Sequence, residues 1–144
     1  MTARAETPGW THFAHAGDVG VCGSGQDMAE AFENAARAMC AVVAPPGLVR
    51  PEREVTVACE APDPAILLVD WLNAVIYEMA TRGMLFSAFE VSIDGARLTA
   101  RLRGEPVVPA RHEPAVELKG ATLTELSVGR GADGLWRARC VVDV

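Results

Sequence analysis

Residues 63–83 read DPAILLVDWLNAVIYEMATRG and contain both the start and the stop signals of an α-helix. Asp63 is a favourable N-cap, Pro64 suits the first helical position, and Gly83 suits the left-handed residue that ends a helix. The apolar side chains recur at helical spacing on one face: Leu68, Trp71, Leu72, Val75, Ile76 and Met79. The stretch therefore predicts an amphipathic helix with a buried apolar face.

Another helix is predicted upstream, over residues 27–43. Asp27 is suited to cap its first N–H groups, and Glu30, three residues later, completes a capping-box pattern. The apolar stripe consists of Met28, Ala31, Phe32, Ala35, Met39, Val42 and Val43. The sequence Pro45-Pro46-Gly47 ends this helix, because proline cannot donate the next backbone hydrogen bond.

The remaining segments show the alternation and the turn signals of β-strands. The predicted strands are residues 10–15, 19–22, 55–60, 89–93, 97–103, 116–119, 123–129 and 135–142. Asp94-Gly95 is a compact hairpin signal between two of them. Gly20, Gly23 and Gly25 match no phosphate-binding loop, and we interpret them as turn glycines.

The order of elements is β, β, α, β, α and then a run of strands. This order predicts an α+β fold, a two-layer sandwich with two helices packed on one face of a mixed β-sheet of about six strands. Residues 10–144 are predicted to form a single domain, and residues 1–9, which end in Pro8-Gly9, a loose N-terminal tail.

Composition excludes several classes of protein. The net charge of -6 argues against a protein that grips nucleic acid through its phosphates. The N-terminus has no apolar core typical of a secretory signal, and no apolar run approaches the length of a membrane span. The four cysteines form no CxxC motif and lie in apolar stretches, which predicts buried free thiols. We therefore expect a cytoplasmic protein that does not associate with membranes.

The sequence has no catalytic motif of the common enzyme classes, and we expect a protein that is not an enzyme. Acidic residues are more informative. Asp18 lies in the turn between the first two strands, and Asp143 lies one residue from the terminal carboxylate of Val144. Adjacent carboxylates repel unless a cation joins them, so these groups are candidates for a hard-cation site. The alternative is that Asp18 caps a turn and Asp143 is simply solvated.

Histidines and arginines near these acids are further candidates for the same site. His12 and His15 face opposite sides of a strand, so at most one of them serves such a site. Arg137 and Arg139 share a face with Asp143 on the last strand. Three further arginines share one face of another strand: Arg97, Arg101 and Arg103. These faces are either solvated and ion-paired or a docking surface for an acidic partner or RNA.

Seven segments in order resemble the archease family. They are HAGD (15–18), GQDMAEAFENAA (25–36), LLVDWLN (67–73), GMLF (83–86), PARH (109–112), KGAT (119–122) and WRARCVVDV (136–144). Tyr77 follows the third segment by one turn. The last segment places an Asp one residue from the end, as the family does. The sequence departs from the family pattern at Ala14, at Ala16-Gly17 and at Leu123-Thr124, where the family has more polar residues.

The resemblance implies the two-layer α+β fold and a function. Archeases are protein cofactors of the RtcB-type RNA ligase, which joins tRNA exon halves and repairs RNA breaks. They promote guanylylation of the ligase and its multiple turnover. The implied partner is thus that ligase, with RNA contacted only indirectly.

The resemblance also implies a metal site formed by Asp18, Asp143 and Val144. The expected ion is Ca²⁺, with Mg²⁺ or Mn²⁺ as alternatives. Supporting or partner contacts are expected from His15, Lys119, Arg137 and Arg139.

Two other functions stay open at the level of sequence. One is a chaperone-like or binding module with an archease fold and a different protein client. The other is a small metal-dependent hydrolase, which no nucleophile or ligand spacing supports. The sequence does not determine the oligomeric state.

Overall fold

The computed structural model describes residues 9–144. The strands are β1 (Trp10–His15), β2 (Asp18–Gly25), β3 (Arg53–Glu60), β4 (Met84–Asp94), β5 (Arg97–Pro106), β6 (Gly120–Ala121), β7 (Ser127–Arg130) and β8 (Trp136–Asp143). The α-helices are α1 (Met28–Val43), α2 (Pro64–Arg82) and a single turn, α3 (Pro109–His112). A 3-10 turn spans Pro46–Leu48. Most of the predicted tail lies outside the described residues. Its last residue, Gly9, exchanges hydrogen bonds with Ser24.

The strands form two sheets. The larger has the order β1-β2-β8-β6, with β7 also paired to β8, and the smaller has the order β3-β5-β4. Every pairing within the described residues is antiparallel. The α+β class is confirmed. The prediction of one mixed sheet of about six strands is wrong in its strand arrangement.

A side chain of α1 hydrogen-bonds to the outer edge of the smaller sheet at β4. Glu33 accepts the backbone N–H of Val91 on β4 at 2.8 Å, so this edge group is satisfied without a further strand. Burial raises the pKa of the Glu33 carboxyl, and the Val91 hydrogen bond opposes that rise. Both long helices contact both sheets, α1 at β2, β8 and β4, and α2 at β3, β4 and β6.

The helix boundaries follow the predicted signals. Asp27 caps α1 by accepting the N–H of Glu30 at 2.8 Å, while the Glu30 carboxylate accepts from Gln26, one residue before the usual capping-box position. Asp63 caps α2 by accepting the N–H of Ala65 at 2.8 Å. Gly83 ends α2 in the left-handed region at φ 63°.

Trp71 fixes the packing of α2. Its side chain is fully buried, and its indole N–H donates to the carbonyl of Phe32 on α1 at 2.9 Å. Its ring also meets Phe89 of β4 edge-on, at 6.3 Å between centroids. One residue therefore joins both helices and the smaller sheet.

The glycine interpretation was wrong. Gly20, Gly23 and Gly25 lie within β2, not in turns. A Cβ at Gly23 would lie 2.2 Å from the backbone N of Ala35, and one at Gly25 would lie 2.6 Å from the N of Ala31. Glycine at these positions lets the backbone of β2 approach that of α1 more closely than any side chain allows.

The strand boundaries show which local signals were sufficient. The hairpin across Asp94-Gly95 is confirmed, but β4 begins at Met84 rather than at residue 89. Residues 116–119 are not a strand; β6 follows them at Gly120–Ala121, and the strand predicted over 123–129 is the shorter β7. The helical turn α3 was not predicted.

All four cysteines are free. Cys40 and Cys140 are buried, as predicted, whereas Cys22 and Cys59 are half-buried. Burial raises the pKa of the Cys40 thiol to about 12 and that of Cys140 to about 11. These two behave as small core side chains rather than as reactive thiols.

Candidate metal and partner-binding site

The pairing of β2 with β8 brings the two predicted acidic residues together. Val19 lies opposite Val142, so Asp18 and Asp143 occupy the next positions outward at neighbouring strand ends. The backbone N–H of Val144 donates to Asp18 Oδ1 at 3.3 Å. Asp18 is half-buried and Asp143 is exposed. We call Asp18, Asp143 and Val144 the acidic tip.

β1 and the segment that leads into β6 place His15 and Lys119 beside the acidic tip. His15 lies opposite Asp18 across the β1–β2 hairpin, whose two turn residues both have positive φ, 48° at Ala16 and 90° at Gly17. On the other side, the backbone N–H of Lys119 donates to the carbonyl of Asp143 at 2.9 Å. Two of the four predicted supporting residues, His15 and Lys119, are therefore neighbours of the acids in the structure.

The donor chemistry of the acidic tip suits a hard cation. Asp18 and Asp143 offer carboxylate oxygens, which Ca²⁺ and Mg²⁺ prefer to nitrogen or sulfur. No group of three His, Cys, Asp or Glu side chains is close enough to hold a metal within residues 9–144. A complete site at this end would therefore need oxygen ligands in addition to the two aspartates.

Arg137 and Arg139 are not brought to the acidic tip. Arg137 forms a bidentate pair with Asp133, at 3.0 and 2.6 Å, and this guanidinium lowers the pKa of the Asp133 carboxyl to about 2. Arg139 pairs with Glu125 at 3.0 Å and lies over the ring of Phe13, 4.2 Å from its centroid. Both arginines are thus engaged on the outer face of the larger sheet.

The arginines of β5 face acids on the strands beside them. Arg101 is paired with Glu90 on β4, and Arg103 lies 3.2 Å from Glu54 on β3. These cross-strand pairs on an exposed face match the solvated, ion-paired alternative more closely than a docking surface.

The sequence did not predict a buried polar cluster at the end of β5. Glu105, 4% exposed, accepts hydrogen bonds from Arg111 at 2.6 Å and from the backbone N–H of Arg50 at 2.7 Å. His112 Nδ1 accepts the N–H of Val108, so its Nε2 carries the proton and donates to Glu105 at 3.0 Å. The donors, Arg111 foremost, lower the pKa of Glu105 to about 2. In the sequence, only the segment PARH (109–112) pointed to this region, and it did not indicate which residues Arg111 and His112 would contact.

Asn73 of α2 holds the short strand β6. Its Oδ1 accepts the N–H of Ala121 at 2.9 Å, and its Nδ2 donates to the carbonyl of the same residue at 3.4 Å. Gly120, the other residue of β6, pairs with Asp143. A side chain of α2 thus fixes the strand that flanks the acidic tip.

Within residues 9–144, no helix combines the length and the apolar character needed to cross a membrane.

Comparisons with known proteins match nearly the whole of the described chain. A model of the Archease protein family (MTH1598/TM1083) matches residues 10–144. The archease of Methanothermobacter thermautotrophicus is 35% identical over 140 residues, which cover 94% of this chain and 99% of that protein. The archease of Pyrococcus abyssi is 32% identical over 139 residues, covering 94% and 98%.

Solved structures give the same result. The solution structure of Methanobacterium thermoautotrophicum protein 1598 matches with a TM-score of 0.83 at 33% identity, over 94% of this chain and 99% of that one. A crystal structure of an archease from Thermotoga maritima, described as a possible chaperone, matches in fold with a TM-score of 0.59 at 19% identity, over 92% and 94% of the two chains. The chain therefore belongs to the archease family.

Proposed function

We propose that this chain is a non-enzymatic protein cofactor of an RtcB-type RNA ligase, which it activates by promoting guanylylation and multiple turnover in tRNA splicing and RNA repair. Membership of the archease family supports the proposal. The observation that carries it is the juxtaposition of Asp18 and Asp143 at neighbouring strand ends, with the N–H of Val144 bonded to Asp18.

The acidic tip would hold a divalent cation through Asp18, Asp143 and the carboxylate of Val144. Ca²⁺ is the first candidate, and Mg²⁺ or Mn²⁺ is the second. All three ions bind oxygen ligands. When bound, the cation supplies positive charge that permits carboxylates of the same sign to lie together.

The chain's own residues give the acidic tip its position. β8 pairs with three strands, β2, β6 and β7. Asp143 therefore lies at the end of the strand that has the most paired neighbours in the larger sheet. A carboxylate group on such a rigid element keeps its geometry when a partner approaches. In this proposal the acidic tip contacts the ligase near its nucleotide site.

The test is RNA ligation by the ligase from the same organism, under single- and multiple-turnover conditions, with a titration of divalent metal. Asp143→Asn removes one charge with little change of shape. Asp94→Asn, at the end of β4 beside the hairpin turn, is the matched control. We expect the wild type and Asp94→Asn to stimulate turnover and Asp143→Asn to lose at least about tenfold of that stimulation, since the negative charge is lost and one of the two carboxylate oxygens becomes an amide NH₂.

Full stimulation by a folded Asp143→Asn variant contradicts a role for the acidic tip. The second candidate function is a chaperone-like module, because a relative from Thermotoga maritima is described as a possible chaperone. Suppression of aggregation of unrelated proteins, with no effect on the ligase at any metal concentration, would favour that candidate.

A further inference from the structure

An apolar cleft of about 250 Å³ lies between the C-terminal half of α2 and the extended segment that leads to β6. Its lining includes Met79 and Ala80 of α2, Met84 of β4, and Val116 and Glu117 of the extended segment. We call this the α2 cleft. It uses none of the residues of the acidic tip.

The size and lining of the α2 cleft favour a protein side chain as its occupant. Sites that enclose a whole small-molecule ligand commonly have volumes of roughly 300–1,000 Å³, so this cleft is small for such a ligand. Two methionines among its lining residues, Met79 and Met84, provide flexible and polarisable contacts. Such surfaces accept large apolar side chains of a partner.

An exposed aromatic residue stands beside the cleft. Tyr77 is 63% exposed, although it lies on the helix that forms the cleft wall. It precedes Ala80 by three positions, so the two are neighbours on the helix surface. Exposed tyrosine beside an apolar groove is typical of the central contacts of protein interfaces.

Glu117 is the charged residue among those that line the cleft, so the cleft itself carries a negative charge. Glu113 and Glu117 are exposed, and within residues 9–144 neither forms an ion pair. The nearby cation on α2, Arg82, is already paired with Glu78 at 2.5 Å. Complementary charge on an occupant is therefore positive.

The α2 cleft is continuous with the acidic tip along the chain. Val116 and Glu117 line the cleft, and two residues later the N–H of Lys119 bonds to the carbonyl of Asp143. A partner that meets the acidic tip can thus extend along residues 119 to 114 and reach the cleft. One partner protein can therefore contact the acidic tip and the α2 cleft at the same time.

Resting on the function proposed above, we propose that the α2 cleft is a second docking site for the ligase, which places there a large apolar side chain flanked by a lysine or arginine. The acidic tip sets the approach of the two proteins, and the cleft supplies most of the affinity through apolar burial. Loss of the cleft contact then weakens binding, whereas loss of Asp143 mainly lowers stimulation.

The experiment measures the equilibrium Kd between this chain and the purified ligase from the same organism, at two salt concentrations. Ala80→Arg fills the cleft from an exposed helical position and adds a like charge to a basic occupant. Ile66→Arg, at the exposed N-terminal end of the same helix, is its matched control. Glu117→Lys reverses the rim charge on an extended segment without a helix or strand to disrupt. Each variant is first shown to unfold at the wild-type urea midpoint.

We expect Ala80→Arg to raise Kd at least about tenfold, as loss of an interface anchor does. Glu117→Lys should raise Kd several-fold at low salt and less at high salt, because its effect is electrostatic. Ile66→Arg should bind like the wild type.

Two results would overturn the inference separately from the proposed function. Wild-type affinity in both Ala80→Arg and Glu117→Lys excludes the α2 cleft as a ligase contact, while the ligase still binds. A wild-type dimer that Ala80→Arg dissociates assigns the cleft to a second copy of this chain instead. A wild-type protein that does not bind the ligase at all contradicts the proposed function itself.

Discussion

Replacing Gly23 by alanine tests whether close backbone contact between β2 and α1 holds the larger sheet in place. An added Cβ would lie 2.2 Å from the N of Ala35 and 2.3 Å from the carbonyl oxygen of Ala31. Ordinary contacts are about 3.5–4.0 Å, so strand and helix must separate by more than about 1 Å. Overpacking typically costs about 1–3 kcal/mol, and backbone atoms cannot move aside as a side chain can. We expect a loss of at least about 3 kcal/mol.

Two other glycines provide matched comparisons for Gly23→Ala. A Cβ at Gly20 would lie 2.2 Å from the outer atoms of the Phe13 ring, which is half-buried and able to rotate. Gly20→Ala should therefore cost no more than about 1 kcal/mol. Gly47 has nothing within 4 Å of such a Cβ, so Gly47→Ala should be neutral or stabilise by about 0.4–1 kcal/mol through the unfolded chain.

Urea unfolding followed by tryptophan fluorescence and by far-UV circular dichroism measures all three. With a slope near about 2 kcal/mol per molar urea, Gly23→Ala should lower the midpoint by about 1.5 M. Equal midpoint shifts for Gly23→Ala and Gly20→Ala would refute the argument, because the two positions differ in whether backbone or side chain blocks the new methyl. A shift below about 0.5 M for Gly23→Ala would refute it as well.

Three further predictions concern pH, β6 and the thiols. Because Arg111 and other donors lower the pKa of Glu105 from 4.5 to about 2, Glu105 stabilises the fold above about pH 4.5. That contribution is lost as the pH falls toward 2, so the free-energy difference between wild type and Glu105→Gln should shrink over this range in unfolding measurements. Asn73→Ala leaves the N–H of Ala121 without its partner and should cost about 1–3 kcal/mol in the same assay, together with a loss of ligase stimulation. Cys40, whose pKa burial raises to about 12, should resist alkylation at neutral pH until urea unfolds the protein, as mass spectrometry of the modified peptides would show.

The helix ends were predictable because their signals are local. Asp63 and Gly83 act within one turn of themselves, through a hydrogen bond to Ala65 and a left-handed φ. The division into two sheets was not predictable in this way. It depends on contacts between distant segments, such as that of Glu33 with the backbone of Val91, 58 positions along the chain, and no local pattern records such contacts.

The candidate site likewise contains parts that the sequence predicted and parts that it did not. Asp18 and Asp143 were predicted as a pair, through the separation of Asp143 from the terminal carboxylate and through the family resemblance, and the structure places them at neighbouring strand ends. Arg137 shares the sheet face with Asp143, but its guanidinium is held by Asp133, four residues away, an orientation that face alternation does not reveal. The cluster around Glu105 was missed because no local pattern orients Arg111 and His112 toward it, and because its third donor, Arg50, lies 55 positions away in the sequence.

The placement of the acidic tip depends on contacts remote from it. Asp143 is held by the register of β8 against β2 and β6. That register in turn rests on Gly23, which seats β2 on α1, and on Asn73, which fastens β6 to α2. A change at either residue moves a strand that carries or flanks the acids without touching a carboxylate. If the chain acts by presenting two carboxylates to a partner in a fixed geometry, Gly23→Ala and Asn73→Ala should both lower ligase stimulation under conditions in which the variants remain folded, whereas Gly47→Ala should not. The effect of the first two should also exceed what their folded fraction explains, because a shift of about 1 Å at a reacting centre is enough to lower activity severely.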